Sequence, residues 1–471
     1  AGPAPGHENL WLAEGMPGGI LWGGTVGERL ARWIIDGDPG MDMSELAPRR
    51  FSDYASKRWP MDKVRETWGT HMNAHIPGED FPGARPMKTM GSYDLLSAHG
   101  AVWTSFNGYE FPRWFAKSRK EAVPEHAFRR TNHMERVQEE VRTTRDVAGF
   151  IEMSPMTKFT VRGPGAAKWL DGLMANRLPK VGRMTLSLLL NPKGGMDAEY
   201  TVARYAENDF FLVSTPNWRA YNWDQLQRLL PDDSSVILED VSEQLGVIAL
   251  AGPMAREILQ PLTDNDLSNG TFPWLSAQKG EVGYAKGVHL LRVSYTGELG
   301  WELHHPVGYN RHLVDLLLKA GVKPFGLEAL ESMRLEKSYR AINREICKDM
   351  TPYEAGLDRF VVTEGRDFTG KAALLKQKKE GTYRRLVTLK LPFGETSVMF
   401  DEGVYARGKL IGRVTSGGFS YYCNHDIAMA LVPQNMTAPG TRMQVLVHNE
   451  MREAEVIDTC AVDPSSARAR A

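Results

Sequence analysis

Cysteine is scarce in this sequence. Cys347, Cys423 and Cys460 are the only three in 471 residues. They are odd in number and far apart, which argues for a reducing compartment and against a disulfide framework. They also lack zinc-site spacing. The sequons at Asn269 and Asn435 are then chance matches, because glycosylation needs a secretory route. An excess of either charge is missing too. The formal net charge is -1, so bulk charge favours neither nucleic acid nor an anionic membrane. No apolar run approaches the length of a membrane span. The start, AGPAPGHENLWLAEG, has no basic-then-apolar signal pattern and no initiator Met. The expectation is a chain that begins after processing or inside a longer protein. No G-x-G-x-x-G occurs, so the usual fingerprint for holding a dinucleotide pyrophosphate is absent. There is no internal repeat and no low-complexity segment.

What is present is a large globular sequence, 42% hydrophobic and 24% charged, enough for two to four domains by rough size scaling. Leu10 to Ala13 reads as a short strand. A glycine-rich turn follows over residues 18–24, and Val26, Leu30 and Ile34 give Thr25 to Ile35 helical spacing. Gly37, Pro39 and Pro48 open a linker. Residues 51–135 are aromatic- and arginine-rich, with helical runs near Asp53 to His71 and Ser92 to Ala98. They read as a small connecting domain. From about Glu139 strands and helices alternate: Lys158 to Arg162, Ala166 to Asn176, Leu186 to Leu190, Tyr200 to Arg204 and Phe210 to Ser214. This is an α+β pattern. Tyr309 to Lys319 and Gly326 to Arg340 have helical spacing. From about Tyr383 short strands with glycine turns, as in Val404 to Gly412 and Met443 to His448, suggest a closing β-barrel.

Three stretches carry candidate chemistry. In SYTGELGWEL, Ser294 to Leu303, Tyr295 and Glu302 bracket a tight Thr-Gly turn between two strands. Tyrosine stacks and donates, and a carboxylate accepts two parallel hydrogen bonds. That pair suits a flat heterocycle with an amide-like edge and an exocyclic amine, such as a pterin. Alone, the pattern more often marks an ordinary hairpin with an exposed Tyr and Glu. In NPKGGMDAEYTV, Asn191 to Val202, a hairpin turn precedes Asp197 and Glu199, which alternate onto one strand face. Solvent-exposed acids are the bland alternative to a carboxylate that handles a ring-nitrogen proton. In GLEALESMRLEKSYR, Gly326 to Arg340, Glu331 and Arg334 form an i, i+3 pair. It is either a surface salt bridge or an arginine fork for a ligand carboxylate. Two motifs are dismissed. GRDFTGKA, Gly365 to Ala372, imitates a phosphate loop but has Ala372 where magnesium needs a hydroxyl. His71 and His75 have i, i+4 spacing without a following glutamate or a third ligand.

Together with ESMRLEKSYRA (331–341), TPYEAGL (351–357), LAGPMARE (250–257), LPKVGRM (178–184) and VTSGGFSYY (414–422), these stretches resemble the folate-binding, T-protein-like half of the dimethylglycine dehydrogenase and sarcosine dehydrogenase family. RPMKTMGSYDLL (85–96) and NGYEFPRWFA (107–116) resemble that family's central domain, and residues 1–50 the end of its flavin-dependent amine oxidase domain. The resemblance implies four parts: 1–50, the tail of the flavin domain; 51–135, a central linker domain; 136–375, an aminomethyltransferase folate-binding domain; and 380–471, a C-terminal β-barrel. Residues 1–50 are expected to be poorly anchored, since their sheet partners are absent.

The resemblance also implies chemistry. A flavin (FAD) unit, incomplete in this chain, would oxidise an N-methyl amine to an iminium. Tetrahydrofolate would capture the one-carbon unit as methylenetetrahydrofolate, with proximity as the main catalytic effect. Glu199 falls where the T-protein-like family often has aspartate, as general base or electrostatic stabiliser, with Asp197 as its rival. Tyr295 and Glu302 carry over as pterin contacts, and Arg334 as a pocket contact or its support. Arg413 and Tyr421 are candidates to line the pocket. Implied partners are a methylated amine, folate and an FAD-domain polypeptide, with no nucleic acid and no membrane. The implied location is bacterial cytoplasm or mitochondrial matrix. A free-standing aminomethyltransferase of glycine cleavage and a non-catalytic folate-binding scaffold remain as alternatives. So does a relative that demethylates a sulfonium or aryl ether.

Overall fold

The computed structural model describes residues 1–471 apart from positions 17, 53, 74 and 77. Two antiparallel-rich sheets and a barrel make up most of it. The chain enters the larger sheet at Gly149–Glu152, leaves to build a separate five-stranded sheet, and returns at Leu245–Ala251. The five-stranded sheet runs Ile237–Asp240, Thr157–Arg162, Asp209–Ser214, Met196–Ala206, Arg183–Leu190. The six-stranded sheet runs Ala277–Val282, Ala285–Leu291, Gly300–Pro306, Leu245–Ala251, Gly149–Glu152, Lys323–Pro324, and only the last strand is parallel to its neighbour.

Alternation along two strands positions everything that follows. In Met196–Ala206, Ala198, Tyr200 and Val202 bury themselves with Phe159, Phe210 and Leu170 behind the sheet. Asp197 and Glu199 therefore point to the other face, as the sequence spacing requires. In Gly300–Pro306, Trp301 and Leu303 join Phe150, Leu250 and Leu313 in the core, which turns Glu302 and His304 the opposite way. The two polar faces look at each other. Met184, Ala203, Phe211 and Val213 from one sheet pack against Ala277 and Leu291 from the other. The expected α+β fold is present, and the C-terminal part closes as a six-stranded barrel from Arg384–Leu391 to Glu450–Ile457.

A buried guanidinium ties these units together. Arg145, on helix Met134–Asp146, donates from Nε to Glu336 Oε2 at 2.7 Å and from Nη1 to Glu298 Oε1 at 2.6 Å. It also reaches the carbonyls of Thr296 and Met333. Glu336 ends helix Leu327–Glu336, and its Oε1 accepts from Ser420 Oγ at 2.9 Å at the end of barrel strand Lys409–Ser420.

The N-terminal segment departs from expectation twice. The glycine run is not a turn: helix Gly19–Asp36 starts there, with Gly18 as N-cap. A Cβ added at Gly19, Gly23 or Gly24 would meet nothing within 4 Å, so no neighbour demands a turn at this place. Residues 1–50 are also not loose throughout. Arg49 is buried, stacks 3.8 Å over Tyr221, and pairs with Asp224 at 3.4 Å. Gly6 N donates to Asp224 Oδ1 at 3.1 Å, and Arg228 reaches the Ala4 and His7 carbonyls. The helix itself buries only Val26 and Leu30 and exposes Ile20, Leu21, Ile34 and Ile35. In the connecting region, the run expected over Asp53 to His71 is helix Arg58–Thr70, and Asp53 lies outside the described residues. Its hairpin, Ala101–Phe106 with Tyr109–Phe115, turns on Asn107-Gly108, both at positive φ, an Asn-Gly hairpin signal that the sequence reading passed over.

Removing one partner from a buried ion network leaves the other charges uncompensated. Arg145→Ala is expected to lower unfolding stability by about 3–5 kcal/mol, checked by the midpoint of chemical denaturation followed by circular dichroism.

Candidate functional site

The hairpin that presents Asp197 and Glu199 is fixed by close backbone contact. A Cβ at Gly195 would lie 1.8 Å from the Lys348 carbonyl, so only glycine lets the segments meet. Asn191 braces the turn, accepting from the Lys193 and Gly195 amides and donating to the Lys348 carbonyl. Across the gap, Gly297, at φ +78°, makes the turn that leads into Gly300–Pro306. A side chain there would strike Lys337 at 2.4 Å.

Glu199 and Glu302 thus face each other from opposed sheets. Burial pushes the Glu199 carboxyl up to about 7, and the charge of Glu302 adds to the effect. Burial alone pushes Glu302 up to about 7. Glu302 Oε2 lies 3.0 Å from His304 Nε2. Glu199 has no hydrogen bond within the protein among the described residues. A half-buried carboxylate without a protein partner adds nothing to stability, and such groups cluster at working sites.

Tyr295 stands at the same place. Its ring stacks on Tyr339 at 5.9 Å, its hydroxyl donates to the Arg340 carbonyl at 2.7 Å, and burial raises its pKa. Glu199, Glu331 and Arg334 all act on it electrostatically. Arg334 is only 1% exposed, which rules out a surface salt bridge. Its Nη2 donates to Glu331 and to Ser416 Oγ at 2.9 Å, and its Nη1 to the Tyr339 carbonyl at 3.1 Å. Both terminal nitrogens are engaged, so no fork is open for a ligand carboxylate. The side chain braces the pocket wall.

The other three residues lie apart from the carboxylate pair. Asp197 accepts from Gln225 at 3.1 Å and sits 3.9 Å from Lys348, and burial raises its pKa. Lys348 is also 4.0 Å from Asp42. Arg413 pairs with Asp401 at 2.6 Å on the outer barrel, with both side chains well exposed. Tyr421 packs edge-on against Phe419 at 5.0 Å, and the charges near it are Glu328, Arg130, Glu140 and Asp426. Sequence reasoning missed His304, Lys348 and Gln225. Only His304 had a usable signal: two residues past Glu302 on one strand, it shares that face. His71 stacks on Trp68 and His75 bonds Glu79. Arg366 of the phosphate-loop mimic bonds Asp171 and the Met174 and Ala175 carbonyls.

This architecture is that of an aminomethyltransferase. The glycine cleavage aminomethyltransferase T of Bartonella henselae superposes with a TM-score of 0.70 at 26% identity, over 80% of this chain and 99% of that one. The chain belongs to the glycine cleavage T-protein family, and it is similar over its whole length to part of the dimethylglycine dehydrogenases. The GCVT N-terminal domain matches residues 92–365, the glycine cleavage T-protein C-terminal barrel domain 384–463, and the FAD dependent oxidoreductase central domain 36–89. Mitochondrial dimethylglycine dehydrogenase of Rattus norvegicus is 34% identical over 100% of this chain and 55% of its own length. Mitochondrial sarcosine dehydrogenase of Mus musculus is 29% identical over 92% of this chain and 52% of its own. An aminomethyltransferase of Caldanaerobacter subterraneus subsp. tengcongensis is 33% identical over 79% of this chain and 95% of its own. The chain spans about half the length of the dehydrogenases it matches.

The raised carboxyl pKa has a consequence for stability. The folded state holds the Glu199 proton more tightly than the unfolded state. Stability from this group is therefore fully present below the ordinary carboxylate range and lost as pH rises through about 7. Glu199→Gln removes the loss. Its thermal midpoint is expected to exceed wild type at about pH 8 and to converge with it near pH 5, read by scanning calorimetry at both values.

Proposed function

We propose that this chain is the tetrahydrofolate-binding, one-carbon-transfer portion of a flavin-dependent N-methylglycine demethylase, most like dimethylglycine dehydrogenase. The observation that carries this reading is the Glu199–Glu302 pair, two shielded carboxylates on facing strands beside Tyr295. The donor set fits the substrate. Glu302 keeps one oxygen free of protein partners for the donors of a pterin edge, and Tyr295 offers a ring face. Glu199, raised by burial and free of a protein hydrogen bond among the described residues, suits the role of acceptor for the proton of the attacking ring nitrogen.

In this reading the nitrogen of tetrahydrofolate attacks the iminium carbon. A C–N bond forms, and the π pair of the C=N bond moves to the amine nitrogen. Glu199 takes the proton released from the folate nitrogen. A second folate N–H then attacks the methylene carbon: its C–N bond forms as the bond to the amine breaks, and the proton it gives up leaves with the demethylated amine. Holding the folate and the iminium together makes capture effectively unimolecular. Arg334 supports the pocket wall.

The parts divide as 1–50, 51–135, 136–375 and 380–471. Oxidation of the amine, and FAD, belong to a flavin unit outside this chain. Residues 36–89 support that reading, because a free-standing aminomethyltransferase has no use for an FAD dependent oxidoreductase central domain. The apolar side chains exposed along Gly19–Asp36 suit burial against such a unit. Free cysteines and the mitochondrial and bacterial relatives support a reducing compartment, bacterial cytoplasm or mitochondrial matrix.

The test is anaerobic calorimetric titration of the chain with tetrahydrofolate. Wild type is expected to bind saturably, and Glu302→Ala to lose about tenfold or more in affinity, the value of one lost charge-assisted hydrogen bond. A folded wild type that binds nothing would sink the reading.

A further inference from the structure

The Glu302–His304 contact raises a question that folate binding alone does not answer. His304 is fully buried, and its Nε2 lies 3.0 Å from Glu302 Oε2. Its Nδ1 is buried without a hydrogen-bond partner. Phe211 closes over the ring edge-on at 5.2 Å. His289 stands opposite it on the neighbouring strand, itself bonded to the Tyr205 hydroxyl at 3.0 Å, and Val247 flanks the other side. Lys158 and His305 are the remaining charged or titratable groups near the ring. Glu302 is flanked by Ala249 and Leu291, and Glu199 faces it across the gap. An orphaned acceptor weakens a fold, so stability does not explain a histidine here. Its one satisfied nitrogen serves Glu302.

We infer that His304 is a positioning residue that places the first negative charge of the Glu199–Glu302 pair on Glu302, leaving the proton with Glu199. Burial, with Lys158 nearby, keeps the ring neutral. A neutral imidazole that donates from Nε2 carries no proton on Nδ1, which then needs no acceptor, and among the described residues none is in reach. A donor to an ionised acceptor favours the ionised form. Two close carboxylates titrate as a pair, and this asymmetric hydrogen bond decides which ionises first. Glu302 is then the acceptor for the pterin edge before substrate arrives, and Glu199 ionises second, so that its carboxylate, once formed, is the base that takes the folate proton. The inference rests on the pterin site proposed above.

The test uses the full chain as wild type, His304→Phe and His304→Gln. Carboxyl carbon NMR, with Glu302→Gln to assign the signal, follows the Glu302 titration without ligand. Tetrahydrofolate affinity across pH follows it with ligand. In His304→Phe the Glu302 midpoint is expected to rise by about one unit, with binding roughly tenfold weaker below it, as loss of one donor to a carboxylate predicts. The glutamine side-chain amide is expected to restore most of the shift. Nitrogen NMR of wild type is expected to find the His304 proton on Nε2. An unchanged titration in His304→Phe, or a proton on Nδ1, overturns the inference. The nitrogen measurement decides it even if His304→Phe does not fold. A wild type that binds no tetrahydrofolate instead overturns the proposed function, while the ligand-free titration still decides the role of His304.

Discussion

The Arg145 guanidinium is the tie on which the arrangement of parts depends. It reaches the helix that bears Arg334, through Glu336 and the Met333 carbonyl. It reaches the turn that launches the Glu302 strand, through Glu298 and the Thr296 carbonyl. Through Glu336 it also reaches the barrel at Ser420 and the Tyr422 amide. Each carboxylate oxygen that receives it is buried, so none can trade the bond for water. Such a network adds little net stability over an apolar core, but it tolerates one geometry only. That geometry sets where Tyr295 stacks and where Glu302 points.

The site depends on a second constraint, the apposition of two sheet faces. Phe211, Val213 and Leu291 supply the apolar contact that holds the faces together. Glu199 and Glu302 lie within the same gap, where water is excluded enough to raise both carboxyl groups toward neutrality. Apolar packing thus does chemical work, because it tunes the proton affinity of the pair. Arg334, which looks in sequence like a ligand for an anion, is consumed by Glu331, Ser416 and the Tyr339 carbonyl.

The N-terminal fifty residues belong to two neighbourhoods. Arg49, the first few residues and Asp42 dock on the five-stranded unit and on Lys348. The helix Gly19–Asp36 presents apolar side chains outward. One segment therefore carries both a settled interface and an exposed apolar face.

Strand alternation was legible in the sequence. Asp197 and Glu199 on one face, the strands around SYTGELGWEL, and the closing barrel follow from local period and turn chemistry, which neighbours do not override. The family followed from motifs kept in order along the chain. Local rules misplaced the glycine segment, because glycine's helix penalty, about 1 kcal/mol per residue, is a weak preference that the helix Gly19–Asp36 overrides. They also could not see that Arg334 is buried, that Arg413 and Tyr421 sit away from the carboxylates, or that His304 backs Glu302. The sequence by itself determined which side chains share a face. Only the tertiary structure decided which faces meet, because burial, pairing and proton affinity are properties of contacts between segments far apart in the chain.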